Sequence, residues 1–168
     1  MDGDVEADLA YRRALGSYPT GVAVVTAEAS EGAWSITVNS FVSVSLTPRL
    51  VMWSLDERSY RYALFAGAPA WGVSVLRADQ AAVASRFAMH GAAPAEEHEI
   101  ERFGAAAGHP GAPLLKDALA RFDCRTVARH HVADHLLIVG RVAAFDAKDG
   151  EALTYFHSRY GRAENPEV

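Results

Sequence analysis

The chain holds seven histidines, a single cysteine and several clusters of small hydroxyl side chains, all candidates for chemistry. The nucleophile templates fail first. No GxSxG run occurs, and Cys124 stands between Asp123 and Arg125 in a strand-like stretch, where a buried structural thiol is expected. His130, His131 and His135 form the densest imidazole group, and the last two have the i,i+4 spacing that shares a zinc ion on a helix. Val132 and the run Leu136 to Val139 favour a strand instead, on which that spacing separates the rings by ~13 Å, so no metal site is expected. His135 follows Asp134 at a strand start, where it either faces a ligand or is satisfied by a backbone group. Residues 37 to 45 concentrate small hydroxyl and amide groups between two apolar stretches. Such groups can hydrogen-bond the edge of a flat heterocycle or a phosphate and still leave room for it, although an ordinary turn before a solvated strand face fits the same residues. Ser54 and Ser59 flank Asp56-Glu57-Arg58, and Ser85-Arg86-Phe87 closes a helical stretch with a guanidinium able to pair a phosphate. A polar turn and a solvated helix end are the competing readings of these two sites.

The elements that would position these groups alternate between short helices and β-branched runs. Ala7, Tyr11, Ala14 and Leu15 share one helical face over residues 5 to 15, and Gly16 and Pro19 end the pattern. Strands are expected at 21–26, 34–38, 41–46 and 50–55, separated by Gly32, Asn39 and Pro48. Val42, Val44 and Leu46 alternate with Ser43 and Ser45, which predicts one buried face and one hydroxyl-lined face. A short helix is expected at 60–66, a strand at 71–76 and a helix at 78–88. Residues 89–113, rich in Ala, Gly and Pro with Glu96, Glu97, Glu99 and Glu101, read as a surface excursion. A helical turn at 114–120, two long strands at 121–131 and 135–145, and a last strand at 152–157 complete the chain. Seven or eight mostly sequential strands predict a mainly β chain, a closed or partly closed antiparallel barrel with short flanking helices.

Composition bounds the function. A chain of 168 residues, 50% hydrophobic and 22% charged, is expected to form one domain. Its 16 basic against 21 acidic residues give a net charge of −5 with the basic residues scattered, which argues against a nucleic-acid surface. The acidic N-terminus is unlike a secretory signal, and no apolar run reaches the ~20 residues of a membrane helix, so a cytoplasmic location is expected. One cysteine leaves no partner for an internal disulfide, in keeping with a reducing compartment. Neither GxGxxG nor GxxxxGK[ST] occurs, which excludes Rossmann and P-loop cradles for a nucleotide.

Seven pieces in order carry a resemblance across about residues 8 to 162. They are Tyr18-Pro-Thr-Gly-Val-Ala-Val-Val-Thr26, Thr37-Val-Asn-Ser-Phe-Val-Ser-Val-Ser-Leu46 with Pro48, and Leu50-Val-Met-Trp-Ser-Leu55. They continue with Gly72-Val-Ser-Val-Leu-Arg-Ala-Asp-Gln80, Ser85-Arg-Phe-Ala88, Asp134-His135 leading to Ile138-Val-Gly-Arg-Val142, and Tyr155-Phe-His-Ser-Arg-Tyr160. Together they resemble the flavin reductase family, whose fold is an FMN-binding split barrel. The resemblance implies a homodimeric NAD(P)H:flavin oxidoreductase that reduces FMN or FAD with NADH or NADPH and supplies a partner flavin-dependent monooxygenase or halogenase. It places Thr37, Val38, Asn39 and Ser40 along the flavin ring edge and ribityl chain. It sets Ser54, Ser59, Ser85, Arg86 and Phe87 toward the phosphate, and His135 and Tyr160 on the nicotinamide side. A flavin-binding split barrel without reductase activity is the alternative, and a β-barrel interaction module a third. Hydride transfer from nicotinamide to flavin needs no protein nucleophile, which suits the missing triads. Ala133 departs from the family's usual Gly before Asp-His, and Arg77 from a small hydroxyl. Anionic ligands against a negative chain need local positive potential, for which Arg86 and Arg159 are the candidates.

Overall fold

A computed structural model describes residues 2–104 and 111–164. Helix α1 (Asp2–Gly16) leads into β1 (Thr20–Gly21), β2 (Ala23–Ala29), β3 (Gly32–Val38), β4 (Val42–Leu46) and β5 (Arg49–Asp56). Next come α2 (Tyr62–Gly67), β6 (Ala70–Val75), a 3-10 turn (Ala78–Gln80) and α3 (Ala81–Ala88), then the short β7 (Ile100–Glu101) and β8 (Leu114–Leu115). The long hairpin β9 (Ala120–Val132) and β10 (His135–Ala147) and the short hairpin β11 (Ala152–Phe156) and β12 (Arg159–Ala163) finish the chain.

Seven strands form one antiparallel sheet in the order β3-β2-β6-β9-β10-β5-β4, and β1-β11-β12 form a smaller one beside it. The two sheets do not close into a single ladder, which is the architecture of a split barrel. Period-2 alternation explains most of it: in β5, Val51, Trp53 and Leu55 are buried while Leu50, Met52, Ser54 and Asp56 are partly exposed. The buried set joins Trp71, Phe65, Val25, Val73 and Ile138 in the main core, where Trp53 meets Phe65 and Trp71 edge to face at 5.4 and 6.0 Å. A second core under α3 gathers Val22, Val24, Leu76, Ala84, Phe87, Ile100, Leu115 and Leu153.

Four expectations are corrected. Strand β4 buries neither face: Val42, Val44 and Leu46 are 45%, 51% and 87% exposed because β4 is the last strand of its sheet and none of the described residues covers it. Residues 114–120 form β8 and a turn where a helical turn was expected, since Ile100 and Leu115 pair across a two-stranded ladder. The described part of 89–113 is mixed: Glu96, Glu97 and Glu101 are exposed as a surface excursion requires, while Ala92, Ala95, Ile100 and Ala112 are buried and Ala95 is bridged to Ala33. Residues 105–110 of that segment lie outside the described residues. Finally, β12 follows the strand expected to be last, and the strand total exceeds the seven or eight expected.

The β9–β10 turn carries Ala133 at φ 52°, in the left-handed region. A Cβ there costs roughly 1–2 kcal/mol, part of which glycine gives back through its freer unfolded chain. Ala133→Gly is therefore expected to stabilise the protein by up to ~1 kcal/mol, which thermal unfolding would register as a Tm about 2–4 °C higher.

Candidate active site

Two cavities meet at Val22 and Asn39 to form one groove between the sheets. One of about 320 Å³ is lined by residues 18–23, Asn39, Ser40, Phe41, Val42 and Val75. The other, of about 180 Å³, is lined by Val22, Thr37, Val38, Asn39, Ala88, Tyr155 and Tyr160. The groove exists because β3 ends at Val38 and the chain turns through Asn39 and Ser40 toward the edge strand β4, while β1 and β11 belong to the second sheet. Tyr160, distant in sequence, is thus brought to the consecutive residues Thr37, Val38, Asn39 and Ser40.

Several hydroxyls in this region are already committed to the fold. Thr37 Oγ1 donates to the Ala84 carbonyl at 2.7 Å and ties β3 to α3. Ser40 Oγ accepts from the Ser54 N–H at 3.1 Å and donates to the Ser54 carbonyl at 3.3 Å, which fastens the Asn39–Ser40 turn to β5. Ser59 Oγ accepts from the Arg61 N–H at 3.3 Å at the start of α2. The groove nonetheless keeps polar capacity. The exposed Asn39 amide has no side-chain partner among the described residues, and Thr20 Oγ1 is buried without a hydrogen-bond partner among them. An apolar and aromatic lining from Val22, Val38, Tyr155 and Tyr160, with unspent amide and hydroxyl groups nearby, fits a planar heterocycle with a polar rim. Tyr155 and Tyr160 sit across the β11–β12 hairpin with ring centroids 5.6 Å apart.

The other expected residues are placed less simply. Arg86 is held in an ion pair with Glu99 at 2.6 Å and donates to the Pro94 carbonyl at 3.3 Å, so its guanidinium fastens the 94–99 turn to α3. Burial pushes the Glu99 carboxyl up, but Arg86 and the Glu96 N–H outweigh it and hold it below the ordinary carboxylate range. Phe87 is fully buried in the second core, so its ring supports α3, and its carbonyl accepts from Arg61 Nη1 at 3.4 Å. Ser85 is exposed on α3, and Arg159 is exposed at the start of β12.

His135 lies outside the groove, where β10 pairs with the end of β5. Its ladder partner is Asp56, while Ser54 pairs with Leu137, which puts His135 and Ser54 on the same outer face as diagonal neighbours ~7–8 Å apart. Its Nδ1 is 2.8 Å from Asp134 Oδ1, and that contact holds the Asp134 carboxyl below its ordinary value. Arg58 bridges the same corner, 2.9 Å from Asp56 and 3.6 Å from Asp134, and lowers the Asp56 pKa to about 2. A depressed carboxylate stabilises above its unfolded pKa and loses that contribution as pH falls toward 2, so the Asp56 and Asp134 carboxylates stay ionised at neutral pH. His131 pairs with Glu57 at 3.0 Å, apart from His135, and no cluster of three metal-binding side chains forms among the described residues. Cys124 is buried, and burial pushes its thiol pKa up, away from nucleophilic use.

Residues 15–164 match the family model described as a flavin reductase like domain. The chain is 41% identical over 153 residues to the FMN reductase (NADH) SmoA of Agrobacterium fabrum (strain C58 / ATCC 33970), spanning 90% of this chain and 84% of that one. It is 37% identical over 158 residues to the NADH-dependent FMN reductase AsuE2 of Streptomyces nodosus subsp. asukaensis, spanning 93% and 85%. Among solved structures it resembles BorF, the flavin reductase component of a bacterial two-component tryptophan halogenase, with TM-score 0.83 and 30% identity over 94% of this chain and 99% of that one. The chain belongs to the flavin reductase family. Its activity is that of an NAD(P)H-dependent flavin oxidoreductase of the split-barrel fold.

Proposed function

We propose that the protein uses NADH to reduce FMN, with the flavin ring seated in the groove around Asn39, and releases the reduced flavin to a partner monooxygenase or halogenase. The observation that carries this reading is the convergence of Thr37, Val38, Asn39, Ser40 and Tyr160 on one groove. The names of SmoA and AsuE2 support FMN and NADH, and that of BorF supports an oxygenase-type partner.

Bound flavin supplies the hydride-accepting centre, so the chain's own task is alignment and exclusion of water. Val22, Val38 and the Tyr155–Tyr160 pair give the ring apolar walls, and Asn39 offers a donor and an acceptor at its rim. Ser40 and Ser54 hold the Asn39 turn against β5, and Thr37 holds α3, whose Ser85 and Arg86 together with Ser59 are assigned to the phosphate side. Arg86 meets a phosphate only by sharing or releasing Glu99. His135 and Tyr160 are assigned to the nicotinamide side.

A homodimer is part of the proposal. The uncovered face of β4 and the exposed Val5, Leu9, Tyr11 and Leu15 of α1 leave large apolar side chains in water, and a helix of 15 residues is marginal without packing. A second copy of the chain covers both in this reading. No described helix is long and apolar enough to cross a membrane, and we assign the protein to the cytoplasm, where reduced nicotinamide is available.

Purified protein mixed with FMN and NADH is expected to consume NADH, followed by its absorbance, only when flavin is added, and to elute at twice the 18.1 kDa chain mass by light scattering. A yellow protein without turnover would support a flavin carrier instead, and a colourless inert one would discard flavin binding altogether.

A further inference from the structure

The two-residue strand β1 is left without a role by the site described above, yet it lines the larger cavity beside Asn39 and Ser40. Thr20 carries an anomaly, and Gly21 stands beside it on the cavity wall with open space where a side chain would be. Thr20 Oγ1 is buried with no hydrogen-bond partner among the described residues, although the residue as a whole is only partly buried. An unpartnered buried hydroxyl costs about 1–3 kcal/mol, so a fold that keeps one is expected to gain from it elsewhere. Gly21 is exposed, its φ lies outside the left-handed region, and a Cβ added to it meets nothing within 4 Å. Neither backbone conformation nor packing within the chain therefore requires glycine there. The contrast with Gly72 is direct, since a Cβ at Gly72 would strike Leu114 Cδ2 at 2.7 Å and Thr26 Oγ1 at 2.8 Å. A glycine that the fold does not need, beside an unspent hydroxyl, on the wall of a cavity, fits close approach by a ligand.

We propose that β1 is a ligand-contacting wall of the groove, where the Thr20 hydroxyl hydrogen-bonds the polar edge of the flavin ring and Gly21 lets the ring approach the backbone. This rests on the flavin reductase reading and names two contacts within it. Rotation about χ1 carries Oγ1 through three staggered positions, and since Thr20 lines the cavity the ligand-contacting state is the rotamer that turns the hydroxyl toward it. The backbone around it is fixed from both sides: Thr20 pairs with Tyr155 and Gly21 with Thr154, while the Val22 N–H donates to the Leu153 carbonyl at 3.2 Å. The wall is rigid and registers Thr20 against Tyr155, which lines the adjoining cavity.

The test uses Thr20→Val, Thr20→Ser and Gly21→Ala, measured for FMN affinity by fluorescence quenching, for NADH KM at saturating FMN, for Tm and for mass by light scattering. Thr20→Val removes a hydroxyl that the fold does not use, so Tm is expected to hold or rise while the FMN Kd weakens about tenfold, the worth of one hydrogen bond. Thr20→Ser is expected to keep wild-type affinity. Gly21→Ala is expected to hold or raise Tm, as glycine removal does at an unstrained position, and to weaken FMN about tenfold by filling the approach. NADH KM should be unchanged in all three. Wild-type FMN affinity in both Thr20→Val and Gly21→Ala overturns the proposal. So does a rise in NADH KM without a change in FMN affinity, or dissociation of the Gly21→Ala protein into single chains. If the unaltered protein binds no FMN, the reductase reading fails with it; if it binds FMN and the variants match it, only the role of β1 fails.

Discussion

Replacing Gly140 with alanine is expected to destabilise the protein by about 3 kcal/mol, the upper end of the range for overpacking a core. Gly140 is buried in β10 at a register shift against β9, and its missing side chain is what lets the Trp71 indole pass. A Cβ there would collide with Trp71 Cζ2, lie 2.9 Å from Cη2 and sit 3.1 Å from Cys124 Cβ. The indole cannot retreat. Its Nε1–H donates to Thr126 Oγ1 at 3.0 Å, Thr126 Oγ1 donates in turn to the Ala68 carbonyl at 2.8 Å, and Trp53 packs on its other side. Relief must come from the β9–β10 backbone, the pairing that carries His135 to its corner. Thermal unfolding should show a Tm lower by about 6–12 °C, and near-ultraviolet circular dichroism should show a changed tryptophan band. A Tm within 2 °C of the unaltered protein would mean that the two strands slide apart at little cost. The same substitution at Gly21 is expected to do the opposite to stability, so the pair separates a glycine kept for packing from one kept for a ligand.

The parts of this architecture that were legible in the sequence are those where local pattern and burial coincide. The run Leu50 to Leu55 alternates because its neighbours β10 and β4 leave one face to the core, and the long strands around Ala133-Asp134 announce themselves by β-branched and apolar residues. Strand β4 shows the limit. Its alternation is as regular as that of β5, but strand order is not a local property, and as an edge strand it keeps Leu46 in water. Strand β12 was hidden for a different reason: His157 and Ser158 both take positive φ, 45° and 61°, in a two-residue turn that sequence reading associates with Asn-Gly. The 89–104 segment hides its packing because small alanines, Ala92 and Ala95, make up most of its buried contacts, with Ile100 the large apolar side chain buried beside them.

The site divides along the same line. Thr37 to Ser40 stood out because hydroxyl and amide groups are unusual at a strand junction, and the groove forms there. What could not be read is which of those groups the fold consumes. The Ala84 carbonyl that accepts the Thr37 hydrogen bond is 47 residues away, and the Glu99 that holds Arg86 is 13 away. Thr20 stood within a run that carried the resemblance but had no role of its own, since an unspent hydroxyl is recognisable only once every neighbour has been placed. Local positive potential therefore lies less at Arg86 than its charge alone suggests.

Replacing His135 with alanine is expected to lower kcat/KM for NADH by about tenfold or more while leaving FMN affinity within about twofold. Three features of its position set this asymmetry. His135 lies outside the groove that Thr37, Asn39 and Tyr160 line, so removing it takes nothing from the proposed ring seat. It shares the outer face of Ser54 at a distance of ~7–8 Å, close enough for a second ligand reaching over the flavin to meet it. Its Nδ1 is turned to Asp134, which fixes the ring plane and leaves Nε2 as the free donor or acceptor. A positioning role predicts a higher NADH KM with kcat at saturating NADH changed little, whereas a proton-transfer role predicts a lower kcat and an altered pH profile. Asp134→Asn keeps the shape of the contact but weakens its hold on the imidazole, so it should show the same KM effect at smaller size. Unchanged NADH kinetics in purified His135→Ala would remove His135 from the site, and a loss of FMN affinity beyond that of NADH would move it to the flavin side.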